Sequence, residues 1–163
     1  MEPTDLTVAA LVERDGQYLI VEETADGIAV LTQPGGHLET DESPEAAVRR
    51  EVFEETACDV TVGDLIGVYL WIHPQTRRQY RRIVFLAELV EQRNRPPPDA
   101  KIHAVRWYSR ADLERRRPQL RSPTVLRCID DYVAGERRPR TLFRNCHPLQ
   151  RHIDTVLARA ALL

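Results

Sequence analysis

Lysine is nearly absent. Of the 23 basic residues in this chain of 163, only Lys101 is a lysine and the others are arginines. A basic surface made this way reflects composition as much as a partner. Aromatic residues are also scarce, at 6%, and the arginines lack the aromatic interleaving of a single-strand nucleic-acid platform. Nucleic acid is therefore not the expected partner. Cysteine is limited to Cys58, Cys128 and Cys146, without CxxC spacing. That odd, scattered set argues against a disulfide framework or a zinc site, and a reducing cytoplasm is the expected location. No apolar run approaches the roughly 20 residues of a membrane span, and no signal pattern opens the chain.

What is present is an ordinary globular composition, 42% apolar and 29% charged. The length predicts one domain over 1–163, with a core over about 1–135 and a C-terminal extension over 136–163. Net charge is only −2, but residues 1–60 hold 15 acidic residues against 3 arginines, and residues 61–163 hold 10 against 20 basic ones. An acidic metal site in the first part and phosphate-facing arginines in the second would account for some of this split.

The pattern predicts strands at Leu6–Glu13, Gln17–Glu23 and Ile28–Leu31, the first two joined by a turn at Asp15-Gly16. Ser43-Pro44 signals a helix start, and the helix should run over 44–57. A long β-rich run follows over 59–72, with bends or bulges at Gly63 and Gly67. Further strands are expected at Arg81–Val90 and Ile102–Trp107, around a proline-rich loop at 94–99. Ser109 should cap a short helix, Ser122-Pro123 should start another that ends near Gly135, and 149–163 has the spacing of a last amphipathic helix.

Three glutamates on the 44–57 helix, Glu51, Glu54 and Glu55, stand at i, i+3 and i+4, within an arc of about 100°. Like charges this close repel by a few tenths of a kcal/mol per pair, roughly, so they gain from a cation among them. Oxygen donors without His or Cys suit a hard ion such as Mg2+ or Mn2+. Two glycines, Gly35 and Gly36, precede them and allow close backbone approach.

The stretch Gly36–Cys58 resembles the Nudix box, G-x5-E-x7-R-E-U-x-E-E-x-G-U, where U is a bulky apolar residue. Gly36, Glu42, Arg50, Glu51, Val52, Glu54 and Glu55 match it. Ala57 replaces the second glycine, and Cys58 takes the last apolar place; Ala57 is expected to cost only a local adjustment. The resemblance implies an α/β (α+β) fold, the Nudix α/β/α sandwich with a mixed curved central sheet. It implies metal ligation by Glu51, Glu54 and Glu55, joined by the Gly36 carbonyl, with Glu39 reaching a second metal. It implies a Glu42–Arg50 ion pair that braces loop against helix, which puts Arg50 in the catalytic machinery.

Nudix chemistry is attack of water on a phosphoanhydride, with divalent ions neutralising the phosphate oxygens. The general base is left among Glu51, Glu54 and a later-loop carboxylate, Asp99. VEET, QPGGHLE, YLWIHP, RWYSRADL and LRSP extend the likeness to the phosphatase NudJ group. That group hydrolyses hydroxymethylpyrimidine pyrophosphate, thiamin pyrophosphate and nucleoside di- and triphosphates. Gln33, Trp71 and His73 are candidates for ring recognition, and Arg78, Arg82 and Arg121 for phosphate. The expected partner is a small-molecule diphosphate, acted on by a monomer or homodimer. The rivals are another Nudix specificity, such as dinucleoside polyphosphates or nucleotide sugars, and a non-catalytic Nudix-like binding domain. The full glutamate set argues against the second.

Overall fold

A computed structural model describes residues 4–25 and 27–143. Its first turn sets the architecture. Strands β1 (Thr4–Arg14) and β2 (Gln17–Ala25) meet at Asp15-Gly16. Both turn residues have positive φ, 54° and 74°, as a tight primed turn requires and as an Asp-Gly pair readily supplies. After the pairs Glu13–Tyr18 and Arg14–Gln17 the two strands diverge. β1 joins β5 (Gln79–Gln92) in parallel, from Thr4–Gln79 to Val12–Ala87. β2 pairs antiparallel with β3 (Ile28–Thr32) and with β6 (Ile102–Ser109). The long strand β4 (Cys58–Ile72) lies antiparallel on β5, and its register shifts fall around Gly63 and Gly67. The sheet is therefore mixed, in the order β3-β2-β1-β5-β4 with β6 on β2.

Alternation along β1 assigns the two faces. Val8, Ala10 and Val12 pack with Val48 and Val52 of helix α1 (Pro44–Thr56), and with Ile83 and Phe85 of β5. Ala9 and Leu11 face the other way, onto Val125, Leu126 and Ile129 of helix α3 (Thr124–Val133) and Leu113 of helix α2 (Arg110–Arg115). Helices thus cover both faces, which is the sandwich the sequence implied. β1 is buried on both sides, hence its nearly unbroken apolar run.

Local signals explain the helix ends. Ser43 caps α1 by accepting from the Ala46 N–H at 3.2 Å, and Pro44 opens the first turn. Ser109 and Asp112 form a reciprocal capping box on α2. At α3 the Ser122 hydroxyl bonds Thr124 Oγ1 at 2.6 Å rather than a backbone N–H, so it opens the segment without capping it. The expected helix over 149–163 lies outside the described residues.

Candidate active site

The segment Pro34–Leu38 is laid along β1 as a short extra strand. The Ala10 N–H donates to Pro34 O, the Val8 N–H to Gly36 O and the Leu38 N–H to Leu6 O. The fit is so close that a Cβ on Gly35 would stand 2.1 Å from the Val8 carbonyl oxygen. A Cβ on Gly36 would stand 2.5 Å from Glu51 Oε1. Only glycine lets the Glu51 carboxylate rest against the backbone here. The Gly36 carbonyl already accepts from Val8, leaving its second lone pair.

α1 presents its three glutamates to this glycine turn in different states. Glu55 is buried, and its Oε2 accepts from the Gly35 N–H at 2.9 Å. Burial pushes its pKa up to about 8, with the charges of Glu23 and Glu51 adding to the shift. Glu51 is also raised by burial, against the opposing effect of Arg50. Glu54 is the most open, with 45% of its side chain exposed. Arg50 stands among them: its Nη1 is 2.7 Å from Glu51, 3.3 Å from Glu54 and 3.8 Å from Glu39. Its Nε and Nη2 form a two-point bridge to Glu42 at 2.9 and 2.8 Å, and Nη2 also donates to His37 O. This bridge holds the Glu42 carboxyl below the usual range.

Arg50, Glu51, Glu54 and Glu55 line one cleft of about 430 Å³, together with Gly36, Glu39, Asp99, Trp71, Arg82 and Arg121. The turn bearing Asp99 is tied to α1, because the Asp99 N–H donates to Glu54 O at 2.8 Å. Arg82 Nη2 donates to Thr32 Oγ1 and Gln33 O, while its Nε is buried without an acceptor among the described residues. Arg121 pairs with Glu23. Trp71 stacks on Tyr80, with ring centroids 5.4 Å apart and planes 29° apart, and meets His73 edge-on.

The family model of the NUDIX domain matches residues 3–127. The chain belongs to the Nudix family. It is 37% identical over 134 residues to Phosphatase NudJ of Shigella boydii and of Escherichia coli K12, covering 82% of this chain and 86% of each relative. A solved NUDIX hydrolase from Nitrosomonas europaea superposes with a TM-score of 0.84 at 36% identity, over 87% of this chain and 97% of that one. A MutT NUDIX hydrolase from Burkholderia pseudomallei shares the fold at a TM-score of 0.68 and 24% identity, over 80% and 98% of the two chains. The protein is a Nudix hydrolase similar to the NudJ phosphatases, an enzyme of a family that generally uses divalent metals and acts on small molecules. No helix among the described residues is long and apolar enough to cross a membrane.

Within the Nudix box, Ala57 takes the left-handed conformation, φ 56° and ψ 26°, and its N–H closes the helix onto Phe53 O at 2.9 Å. It is not a helical residue: α1 stops at Thr56, one residue before the expected end, and the glycine of the box pattern would suit this φ better. Among the described residues no three carboxylate, imidazole or thiolate groups converge on one point. Arg50 Nη1 lies between Glu51 and Glu54, at 2.7 and 3.3 Å. The donor set is nonetheless all oxygen, and a guanidinium is already seated among it. An all-oxygen donor set of this kind suits a hard cation.

One expected substrate residue is not in the cleft. Gln33 is buried, and its amide donates to Val125 O at 2.8 Å and to Cys128 Sγ at 3.2 Å. It ties the end of β3 to α3 instead of meeting a ligand. Two other candidates are held locally. Arg78 pairs with Asp5, and His73 Nδ1 accepts from the N–H groups of Gln75 and Thr76 in the loop. The sequence reading missed Glu23, Tyr80 and Lys101, which also line the cleft. Glu23 carried a signal: it continues the buried run Leu19–Val21, where an acid is out of place unless paired.

Proposed function

We propose that this Nudix hydrolase is a Mg2+-dependent phosphatase, with Mn2+ as substitute, acting on small diphosphates that carry a planar ring. Hydroxymethylpyrimidine pyrophosphate, thiamin pyrophosphate and nucleoside di- and triphosphates are the substrates to test. The observation that carries this reading is one cleft that gathers carboxylates, arginines and an aromatic stack. The carboxylates of α1 line it together with Arg82, Arg121 and the Trp71–Tyr80 stack. A phosphate chain has anions to offer both the cation site and the arginines, and a planar ring suits an aromatic face.

Glu51, Glu54 and Glu55 would hold the divalent cation, with Glu39 beside them. When bound, that ion offsets phosphate charge and favours attack by water. The chain's own groups do the rest. Glu42 fixes the Arg50 guanidinium, which keeps the glutamate end of α1 against the glycine turn. Arg82 and Arg121 orient the phosphate chain for in-line attack. Asp99 is the proposed general base, held beside Glu54 by its own backbone N–H. Water oxygen bonds to the terminal phosphorus, the bridging P–O bond breaks, and the bridging oxygen stays on the shortened substrate. The products are inorganic phosphate and a monophosphate or diphosphate. A cytoplasmic setting suits such substrates and the two free, buried thiols, Cys58 and Cys128.

The test is phosphate release from thiamin pyrophosphate and from nucleoside di- and triphosphates, with Mg2+ and then Mn2+. Turnover should appear and should fall roughly 100-fold or more in Glu54→Gln. No turnover on any of these substrates with either ion would remove the phosphatase reading. Release of pyrophosphate in place of phosphate would move the protein to another Nudix specificity.

A further inference from the structure

Four cationic side chains line the cleft: Arg50, Arg82, Arg121 and Lys101. Three are already engaged. Arg50 is bound by Glu42, Glu51 and Glu54. Arg82 donates to Thr32 and Gln33, and Arg121 pairs with Glu23. The ammonium of Lys101 alone makes no side-chain hydrogen bond or ion pair with the described residues. This is notable in a cleft that holds six carboxylates, because a flexible ammonium pairs readily when an acid is within reach.

The position of Lys101 is nonetheless fixed. Its backbone N–H donates to Asp99 Oδ1 at 2.9 Å. The Ile102 N–H closes the same turn on Asp99 O at 3.2 Å, and the Asp99 N–H is bound to Glu54 O. Three hydrogen bonds therefore tie the root of this side chain to the glutamate end of α1. The exposed residue hangs from this hydrogen-bonded turn and lines the cleft. It is also the one lysine among 23 basic residues. A lysine differs from an arginine in what it recognises. Its compact, strongly hydrated charge carries three rotatable donors and suits the end of a phosphate chain, whereas the planar arginine fork suits a bidentate edge.

We propose that Lys101 is a specificity residue that reads the free terminal phosphate of the substrate. It would favour chains ending in an unesterified phosphate over diphosphates esterified at both ends. This deepens the phosphatase reading and rests on it, since a residue that holds the terminal group favours its release as inorganic phosphate.

The test compares Lys101→Met and Lys101→Arg with the unaltered protein on two substrates with Mg2+. One is a nucleoside diphosphate, with a free terminal phosphate. The other is a nucleotide sugar, a diphosphate esterified at both ends. Lys101→Met should raise KM for the nucleoside diphosphate about tenfold, leave the nucleotide sugar within twofold, and keep the thermal midpoint unchanged. Lys101→Arg should recover part of the loss. Equal losses on both substrates, or no loss on either, would overturn the proposal. If the unaltered protein turns over neither substrate, and also releases no phosphate from thiamin pyrophosphate or a nucleoside triphosphate with Mg2+ or Mn2+, the phosphatase reading fails by itself. The terminal-phosphate role is then decided by calorimetric binding of the nucleoside diphosphate, and an unchanged Kd in Lys101→Met would sink it.

Discussion

Glu42 and Glu55 belong to the same loop and helix, yet the structure treats them in opposite ways. Glu42 meets the Arg50 guanidinium at two points, and its carboxyl is held below the usual range. Glu55 meets one backbone N–H and is otherwise buried, so its carboxyl is pushed up to about 8. One acid is bridged directly by a guanidinium; the other feels only the more distant Arg82 charge, which burial outweighs. The first is a brace and the second is a buried acid held by a single backbone N–H. A helix that simply bore a solvated acidic face would show neither extreme.

Breaking the Glu55 side should give the largest effect. An acid whose folded pKa is raised holds its proton in the folded state at pH values where the unfolded chain has lost it. Stability without metal should therefore fall as pH rises from about 4.5 to about 8, by on the order of 5 kcal/mol. Thermal midpoints in chelator should show this slope, and Glu55→Gln should flatten it while removing activity. A slope that survives Glu55→Gln would mean that another group carries it. Added Mg2+ should stabilise most at the alkaline end, where the carboxylate is otherwise unpaired.

Breaking the brace should come next. Arg50→Met leaves Glu42 and Glu51 part-buried without their partner, at a cost of about 2 kcal/mol. Urea unfolding should show the loss as a lower midpoint at constant slope. At pH well below 4.5 the difference between variant and parent should shrink. There Glu42 is protonated, and the stability that its depressed pKa contributes is lost in the parent too. A difference that stays constant from pH 7 to pH 3 would refute the brace.

The smallest effect sharpens the comparison by touching neither acid. Ala57 ends α1 in the left-handed region. Ala57→Gly relieves a side-chain conflict there but loosens the unfolded chain, for a net gain of about 1 kcal/mol or less. Activity should stay within twofold. A large activity change would mean that the helix end sets the glutamate geometry more tightly than its hydrogen bonds indicate.

The brace and the glutamate row were readable from sequence because both are local. Gly36, Glu42, Arg50 and the three glutamates lie within 20 residues, and helical spacing alone puts the carboxylates on one arc. The rest of the cleft was only partly readable. Arg82, Arg121 and Trp71 were picked by residue type, and the topology brings all three to the cleft. Lys101 was not picked, since nothing near it in the chain marks it, and Glu23 was passed over although the apolar run before it is a signal. Gln33 was misplaced because β3 ends at Thr32, and the alternation that tells inward from outward ends with it. The left-handed Ala57 was hidden for a related reason. A helix stop is written most plainly in glycine, and here an alanine does the work.

The ladder between Pro34–Leu38 and β1 also sets an order in time. β1 is held in the sheet by its parallel pairing with β5, more than 70 positions along the chain. Parallel strands so far apart close late, after the loop entropy between them has been overcome. The glycine turn needs β1 in place before it can face Glu51 and Glu55. A divalent ion offered to the refolding chain would then be captured with the last phase of folding and not with the helix. Its uptake would serve as a clock for completion of the sheet.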